Sequence, residues 1–152
     1  MRIYLDNCAY NRPYDDQSQI RISLETQAKL HIQSLILEKK IQLICSYMSV
    51  YENSENPNPE HRKSIQGFLQ NAIEFIDIEK AEIIGVHAEE IKAWGIKAND
   101  AIHLASAIEG KCQYFVTTDD GILKKSGVPD IRICSPIDFI LEVGNAQYGG
   151  NT

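Results

Sequence analysis

The chain alternates short apolar runs with longer stretches of mixed polarity. Apolar runs at RIYL (2–5), QLIC (42–45), EFIDI (74–78), QYFVTT (113–118) and IRIC (131–134) predict strands. Between them the spacing predicts helices over 20–39, near 49–55, over 59–72, near 80–93, over 98–109, near 120–125 and over 136–142. Strands alternating with helices imply an α/β fold of three layers, a central, mainly parallel sheet covered by helices on both faces. Asn58 before Pro59, and Ser135 before Pro136, each read as an N-cap followed by proline at the first helical position. In the 20–39 segment, Ile20, Leu24, Ala28, Leu35 and Ile36 share a helical period against polar Glu25, Lys29 and Gln33, so that stripe is expected to be core. The polar stretch NRPYDDQSQ (11–19) reads as a loop, and GNAQYGGNT (144–152) as a loose tail after a domain spanning 1–143. Neither an internal repeat nor a linker rich in Gly, Pro or Ser divides the sequence.

Composition narrows the picture. A chain of 152 residues, 43% of them apolar, suits one domain burying roughly two-thirds of its unfolded surface. Nothing approaches the ~18 uninterrupted apolar residues of a membrane span. The start MRIYLDN brings an acid at position 6 where a signal peptide would continue apolar, so a cytoplasmic location with no membrane partner is expected. Cys8, Cys45, Cys112 and Cys134 lie far apart with no CxxC pair, which suits buried reduced thiols better than zinc ligands or disulfides. The net charge of −6 argues against a uniformly basic nucleic-acid face and leaves room for a local basic rim.

The acids carry the chemistry. An ionised carboxylate at the end of a buried strand costs several kcal/mol to desolvate unless it is paired, hydrogen-bonded or metal-bound. Asp6 follows RIYL and Asp119 follows QYFVTT, so both should project from the carboxyl edge of the sheet, where open α/β sheets place their sites. Asp100, in KANDAIHLASA, opens a helix on its inward side, and Glu52, in SYMSVYEN, stands about a turn into the helix after QLIC. Each has a plain structural role to compete with: Asp119 or Asp120 as a helix cap, Asp100 as a first-turn acid favoured by the helix dipole, Glu52 as a solvated helix residue. Four such acids at one edge are harder to attribute to capping. They would repel one another unless a divalent cation or shared protons relieved them. All-oxygen ligation favours Mg²⁺ or Mn²⁺, which implies phosphodiester hydrolysis.

With these motifs in place, IYLDN, SYMSVYEN, DAIHLASA and TTDDGIL in order, the sequence resembles the PIN-domain family, and within it the VapC-like ribonuclease toxins of toxin–antitoxin pairs. The resemblance spans roughly residues 2–142. It implies a three-layer PIN-like fold, a carboxylate quartet of Asp6, Glu52, Asp100 and Asp119 that is both catalytic and metal-binding, and an endoribonuclease dependent on Mg²⁺ or Mn²⁺. RNA, single-stranded or structured, would be the substrate, with an antitoxin protein as partner and a homodimer allowed. Asn7 departs from the hydroxyl residue common after the first acid, Glu55 competes with Glu52, and Asp119 is preferred to Asp120 because it follows Thr117 by two residues, as in the family's TxD pattern.

Other chemistries fit less well. No two of His31, His61, His87 and His103 share a motif, and His103, three residues after Asp100, reads as a satisfied, semi-buried histidine. A haloacid-dehalogenase-like phosphatase would ask for a second aspartate at position 8, which is Cys8, and phosphate-cradling glycine strings are absent. Arg12, Lys97, Lys124 and Lys125 flank the acids as a candidate basic rim, and Tyr10, Tyr14, Tyr47 and Tyr51 are candidates to stack on bases. The competing class is a PIN-like protein that binds nucleic acid or protein without catalysis.

Overall fold

The structure, a computed structural model, describes residues 1–125 and 127–144. Five strands, β1 (Arg2–Leu5), β2 (Gln42–Ser46), β3 (Glu74–Ile76), β4 (Tyr114–Val116) and β5 (Arg132–Cys134), form one sheet in the order β3-β2-β1-β4-β5. Every pairing is parallel, with Ile3 opposite Leu43 on one side and Tyr114 on the other. Strand order therefore reverses between β1 and β4, and a crevice opens there at the carboxyl edge. The expected parallel sheet is present, each strand within two residues of the stretch the sequence predicts. The tail expected at 144–152 lies, from residue 145 on, outside the described residues.

Eight helices are described: α1 (Asn7–Asn11), α2 (Ile20–Leu37), α3 (Tyr47–Ser54), α4 (Pro59–Leu69), α5 (Ala81–Lys92), α6 (Ala98–Glu109), α7 (Asp120–Leu123) and α8 (Pro136–Gly144). Alternation along the strands divides the core in two. Tyr4, Ile44, Ile76, Phe115 and Ile133 face α5 and α6, where they meet Ile84, Ile91 and Leu104. Ile3, Leu5, Leu43, Val116 and Cys134 face the other way, onto Ile32, Leu35, Ile65 and Phe139 of α2, α4 and α8. Each fully buried large side chain contributes about 1.5–3 kcal/mol to this packing. Gly110 ends α6 against the sheet, where an added Cβ would sit 2.8 Å from Ile44 Cγ2.

The caps form as the sequence suggests. Asn58 Oδ1 accepts the N–H groups of Glu60 (3.0 Å) and His61 (3.1 Å), and Ser135 Oγ accepts that of Asp138 (3.1 Å).

Two expectations fail, for one reason. The 11–19 stretch is not wholly loop, because α1 ends at Asn11 and a 3₁₀ turn follows over Arg12–Tyr14. This segment packs under the N-terminal half of α2 and turns that half over. Glu25 is 2% exposed and Lys29 is buried, while Ile20 and Leu24 are 78% and 49% exposed. Arg12 donates from Nε to Glu25 Oε1 at 3.0 Å, and its backbone carbonyl accepts the Thr26 hydroxyl at 3.2 Å. Burial pushes the Lys29 ammonium down to about 8, its Nζ lying 5.6 Å from the centre of the Tyr10 ring.

Candidate active site

The four acids singled out in the sequence come from four elements and line one cavity of about 290 Å³ at the β1/β4 crevice, together with Asn7, Cys8, Asn11 and Asp15.

Asp6 continues β1 and is 5% exposed. Its N–H bonds to Val116 O (2.9 Å), which fixes it against β4. Oδ1 caps α1 by accepting from Asn7 N (2.8 Å), while Oδ2 receives the Thr117 hydroxyl (2.8 Å) and the Cys8 thiol (3.3 Å). Asp6 is thus a cap as well as a cavity residue, a role the sequence reading did not give it.

Asp119 caps α7, its Oδ1 accepting from Gly121 N at 2.8 Å. Its backbone N–H donates to Thr117 Oγ1 at 3.1 Å. Asp120 points elsewhere and is clasped by Arg21, whose two terminal nitrogens lie 3.0 Å and 2.7 Å from its two oxygens. Asp119, not Asp120, lines the cavity.

Asp100 stands half-buried in the first turn of α6. Burial, followed by the charges of Asp6 and Asp119, pushes its carboxyl up to about 6. Glu52, on α3, bonds through Oε1 to His103 Nε2. Glu55 falls at the end of α3 and lines a neighbouring cavity of about 540 Å³ that shares Asn7, Asn11 and Glu52 with the first.

His103 is the residue whose place the sequence understated. It is 1% exposed, and Nε2 comes within 3.9 Å of Asp6 Oδ1. Burial is the largest single influence on its pKa and lowers it, but the Glu52 bond and the charges of Asp6, Glu52 and Asp100 outweigh that, and the net direction is up. Asp6, Glu52 and His103 offer donor atoms within 4.8 Å of one another, the geometry of a candidate cation site. The signal was its place three residues after Asp100, one turn along the same inward face.

The basic rim is smaller than expected. Arg12 is held by Glu25 and Asp15, and Arg21 by Glu25 and Asp120. Lys97 and Lys125 line a further cavity of about 210 Å³ that shares Asp100 and Asp119 with the acid site. Lys125 reaches there over Gly95, whose φ of +85° and missing side chain clear its path. Tyr10 is buried, Tyr47 packs against the core, and Tyr14 stacks on His61 with ring centres 3.6 Å apart. Tyr51 is exposed beside Glu52. Burial favours the protonated form of the thiols, pushing Cys45 up to about 11 and Cys8, Cys112 and Cys134 up to about 12.

A hard divalent cation fits this donor set, in which Asp6, Asp15, Glu52, Asp100 and Asp119 share the cavity wall with the Asn7 and Asn11 amides and the Cys8 thiol, and in which Asp100 is pushed upward by burial and then by Asp6 and Asp119. The five-stranded, all-parallel sheet flanked by helical layers is a PIN-like fold. Two solved structures are similar. VapBC2 from Rickettsia felis, bound to a DNA fragment from its promoter, is 19% identical, with 88% of this chain and 97% of that chain covered and a TM-score of 0.57. FitAcB from Neisseria gonorrhoeae is 20% identical over 89% of this chain and 98% of that chain, with a TM-score of 0.56. At that identity the likeness is one of fold. No protein-family model matches the sequence, and no curated protein matches it. Among the described residues no helix is long and apolar enough to cross a membrane.

Proposed function

We propose that this protein is a metal-dependent endoribonuclease that hydrolyses phosphodiester bonds of single-stranded RNA. The observation that carries the reading is the gathering of Asp6, Glu52, Asp100 and Asp119 around one cavity at the point where strand order reverses. Asp6, Asp100 and Asp119 would hold Mg²⁺ or Mn²⁺, with Glu52 as a further ligand or as the group that orients the attacking water. Bound there, the cation would offset the crowded negative charge, activate water and stabilise charge developing at phosphorus.

The chain's own groups prepare this chemistry. Thr117 and Asn7 N–H hold the Asp6 carboxylate, and the α7 cap holds Asp119, so neither acid has to be ordered when substrate arrives. Lys97 and Lys125 supply positive charge for phosphates beside Asp100 and Asp119, and Tyr51 offers a ring for an unstacked base on the Glu52 side. In-line attack by water leaves a 5′-phosphate and a 3′-hydroxyl, and a 2′,3′-cyclic phosphate among the products would rule the mechanism out.

The fold shared with VapBC2 and FitAcB supports a toxin of a toxin–antitoxin pair acting in the cytoplasm. The family resemblance alone suggests that the antitoxin would cover the acid cleft with an inserted Arg or Lys. The experiment is cleavage of labelled single-stranded RNA with Mn²⁺, with EDTA, and by an Asp6→Asn variant prepared identically. Cleavage lost in both controls supports the nuclease. Equal cleavage by the variant points to a contaminant, and absence of both cleavage and a carboxylate-dependent Mn²⁺ site favours a non-catalytic binding module.

A further inference from the structure

His103 touches two parts of the molecule, and the hydroxyl protons beneath it decide which ring nitrogen is protonated. Nδ1 lies 2.6 Å from Tyr4 Oη, and that oxygen also lies 2.6 Å from Ser46 Oγ and 2.9 Å from Ser49 Oγ. Ser46 Oγ already accepts the N–H of Met48 (3.2 Å) as the cap of α3, and Ser49 Oγ accepts that of Ser46 (3.3 Å). Each serine still has one hydroxyl proton to place, and Tyr4 Oη is the acceptor beside both. Tyr4, Ser46, Ser49 and His103 are all buried, so bulk water does not take these protons.

A phenolic oxygen receives two donors and gives one proton. With both serine protons arriving, the Tyr4 proton goes to His103 Nδ1, which accepts it. The imidazole then carries its own proton on Nε2, the nitrogen that faces Glu52 Oε1. The reverse arrangement, with Nδ1–H donating to Tyr4, would leave a buried serine proton without a partner.

We propose that His103 is a positioning residue: its Nε2–H holds the Glu52 carboxylate at the acid cavity, and Tyr4, braced by Ser46 and Ser49, holds the ring in that tautomer. The inference rests on the reading of the cavity as a metal centre and corrects its simplest version. Asp6, Glu52 and His103 lie close enough to be taken for three ligands of one cation. A nitrogen that carries a proton has no lone pair to offer, so the cation is left to the carboxylates. Because Glu52 Oε1 is engaged by His103, Oε2 is the oxygen free to turn toward a cation or a water.

The test is nitrogen-15 spectroscopy of histidine-labelled protein, without metal and with Mg²⁺, the His103 signals being assigned by their loss in His103→Gln. Nε2 is expected to bear a proton in both states, its signal to move in Glu52→Gln, and the Nδ1 signal in Tyr4→Phe to become that of a nitrogen receiving no hydrogen bond. An Nε2 without a proton, or one that loses it when Mg²⁺ is added, overturns the proposal, as does an Nδ1 signal unmoved in Tyr4→Phe. Mn²⁺ binding is read on the same proteins. His103→Leu is expected to weaken it roughly 10- to 100-fold, as loss of outer-sphere partners does elsewhere, and His103→Gln, which keeps an N–H donor, to restore most of it. Equal affinity in the wild type and His103→Leu overturns the positioning role, and if His103→Leu does not fold, Tyr4→Phe and Glu52→Gln still decide it by their spectra. Wild-type protein that binds no Mn²⁺ would remove the metal reading, while an Nε2–H signal sensitive to Glu52→Gln would still uphold the clamp.

Discussion

The Thr117 hydroxyl donates to Asp6 Oδ2 at 2.8 Å, and Thr117 Oγ1 itself accepts the backbone N–H of Asp119 at 3.1 Å. One side chain thereby joins the acid after β1 to the acid after β4 across the reversal in strand order. Thr117→Val keeps the volume but removes both bonds. It leaves a backbone donor unpaired and strips a partner from a buried carboxylate, at a cost of about 1–3 kcal/mol in urea unfolding. Mn²⁺ affinity should fall roughly 10- to 100-fold and recover in Thr117→Ser. Stability lost with Mn²⁺ affinity unchanged would confine Thr117 to a structural role.

How much of this was legible in the sequence depends on the range of the forces involved. Strand positions, the Asn58 cap and the edge on which Asp6, Glu52, Asp100 and Asp119 gather follow from local periodicity and from the rule that parallel strands end at a common edge. The choice of Asp119 over Asp120 came from the resemblance, through the family's TxD pattern, and Arg21, distant in sequence, is what holds Asp120 outside the cavity. The N-terminal half of α2 was not legible, because its burial is set by the segment at Asn7–Tyr14, whose helical turns rest on tertiary contacts rather than on any apolar period. The His103–Tyr4 network was hidden for the same reason, since it joins residues 99 apart through hydroxyls that carry no hydrophobic signal.

The inverted α2 makes opposite demands on neighbouring residues. Ile20, on the exposed face, should tolerate Ser within about 0.5 kcal/mol, as surface substitutions do. Glu25→Ala removes the buried partner of Arg12 and should cost about 3 kcal/mol, the low end for a broken buried pair because Arg12 also reaches Asp15. Chemical denaturation of both variants decides it. A costly Ile20→Ser with a harmless Glu25→Ala would restore the orientation that the apolar stripe predicts.

Asp119 and Asp120 separate by function in the same way. Asp119→Asn should abolish most Mn²⁺-dependent cleavage, whereas Asp120→Asn, which touches only the Arg21 pair outside the cavity, should leave the single-turnover rate within a few-fold of wild type. Parallel rate measurements on one RNA compare them directly. Loss of cleavage in Asp120→Asn alone would exchange their roles.

Asp100 gives the site a pH signature. Its carboxyl lies at about 6 in the folded protein against an ordinary value of 3.8, raised by burial and then by Asp6, Asp119 and Glu52, with His103 opposing. Between those two values the folded state keeps a proton that the unfolded chain has released, so metal-free stability falls as pH rises through this window and stays lower above it. Asp100→Asn removes the ionisation, and the metal-free variant should melt above the wild type at about pH 7.5, the gap closing toward pH 4. A cation that binds the ionised acids should act in the opposite sense. Mg²⁺ at about 100 times its dissociation constant should add roughly 2.7 kcal/mol of stability, and the same Mg²⁺ concentration should add less at pH 5, where protons compete for Asp100. Thermal unfolding across pH, with and without Mg²⁺, measures both effects. A gap between wild type and Asp100→Asn that does not change with pH would show that Asp100 ionises as a solvated acid, and that the cavity does not crowd its carboxylates.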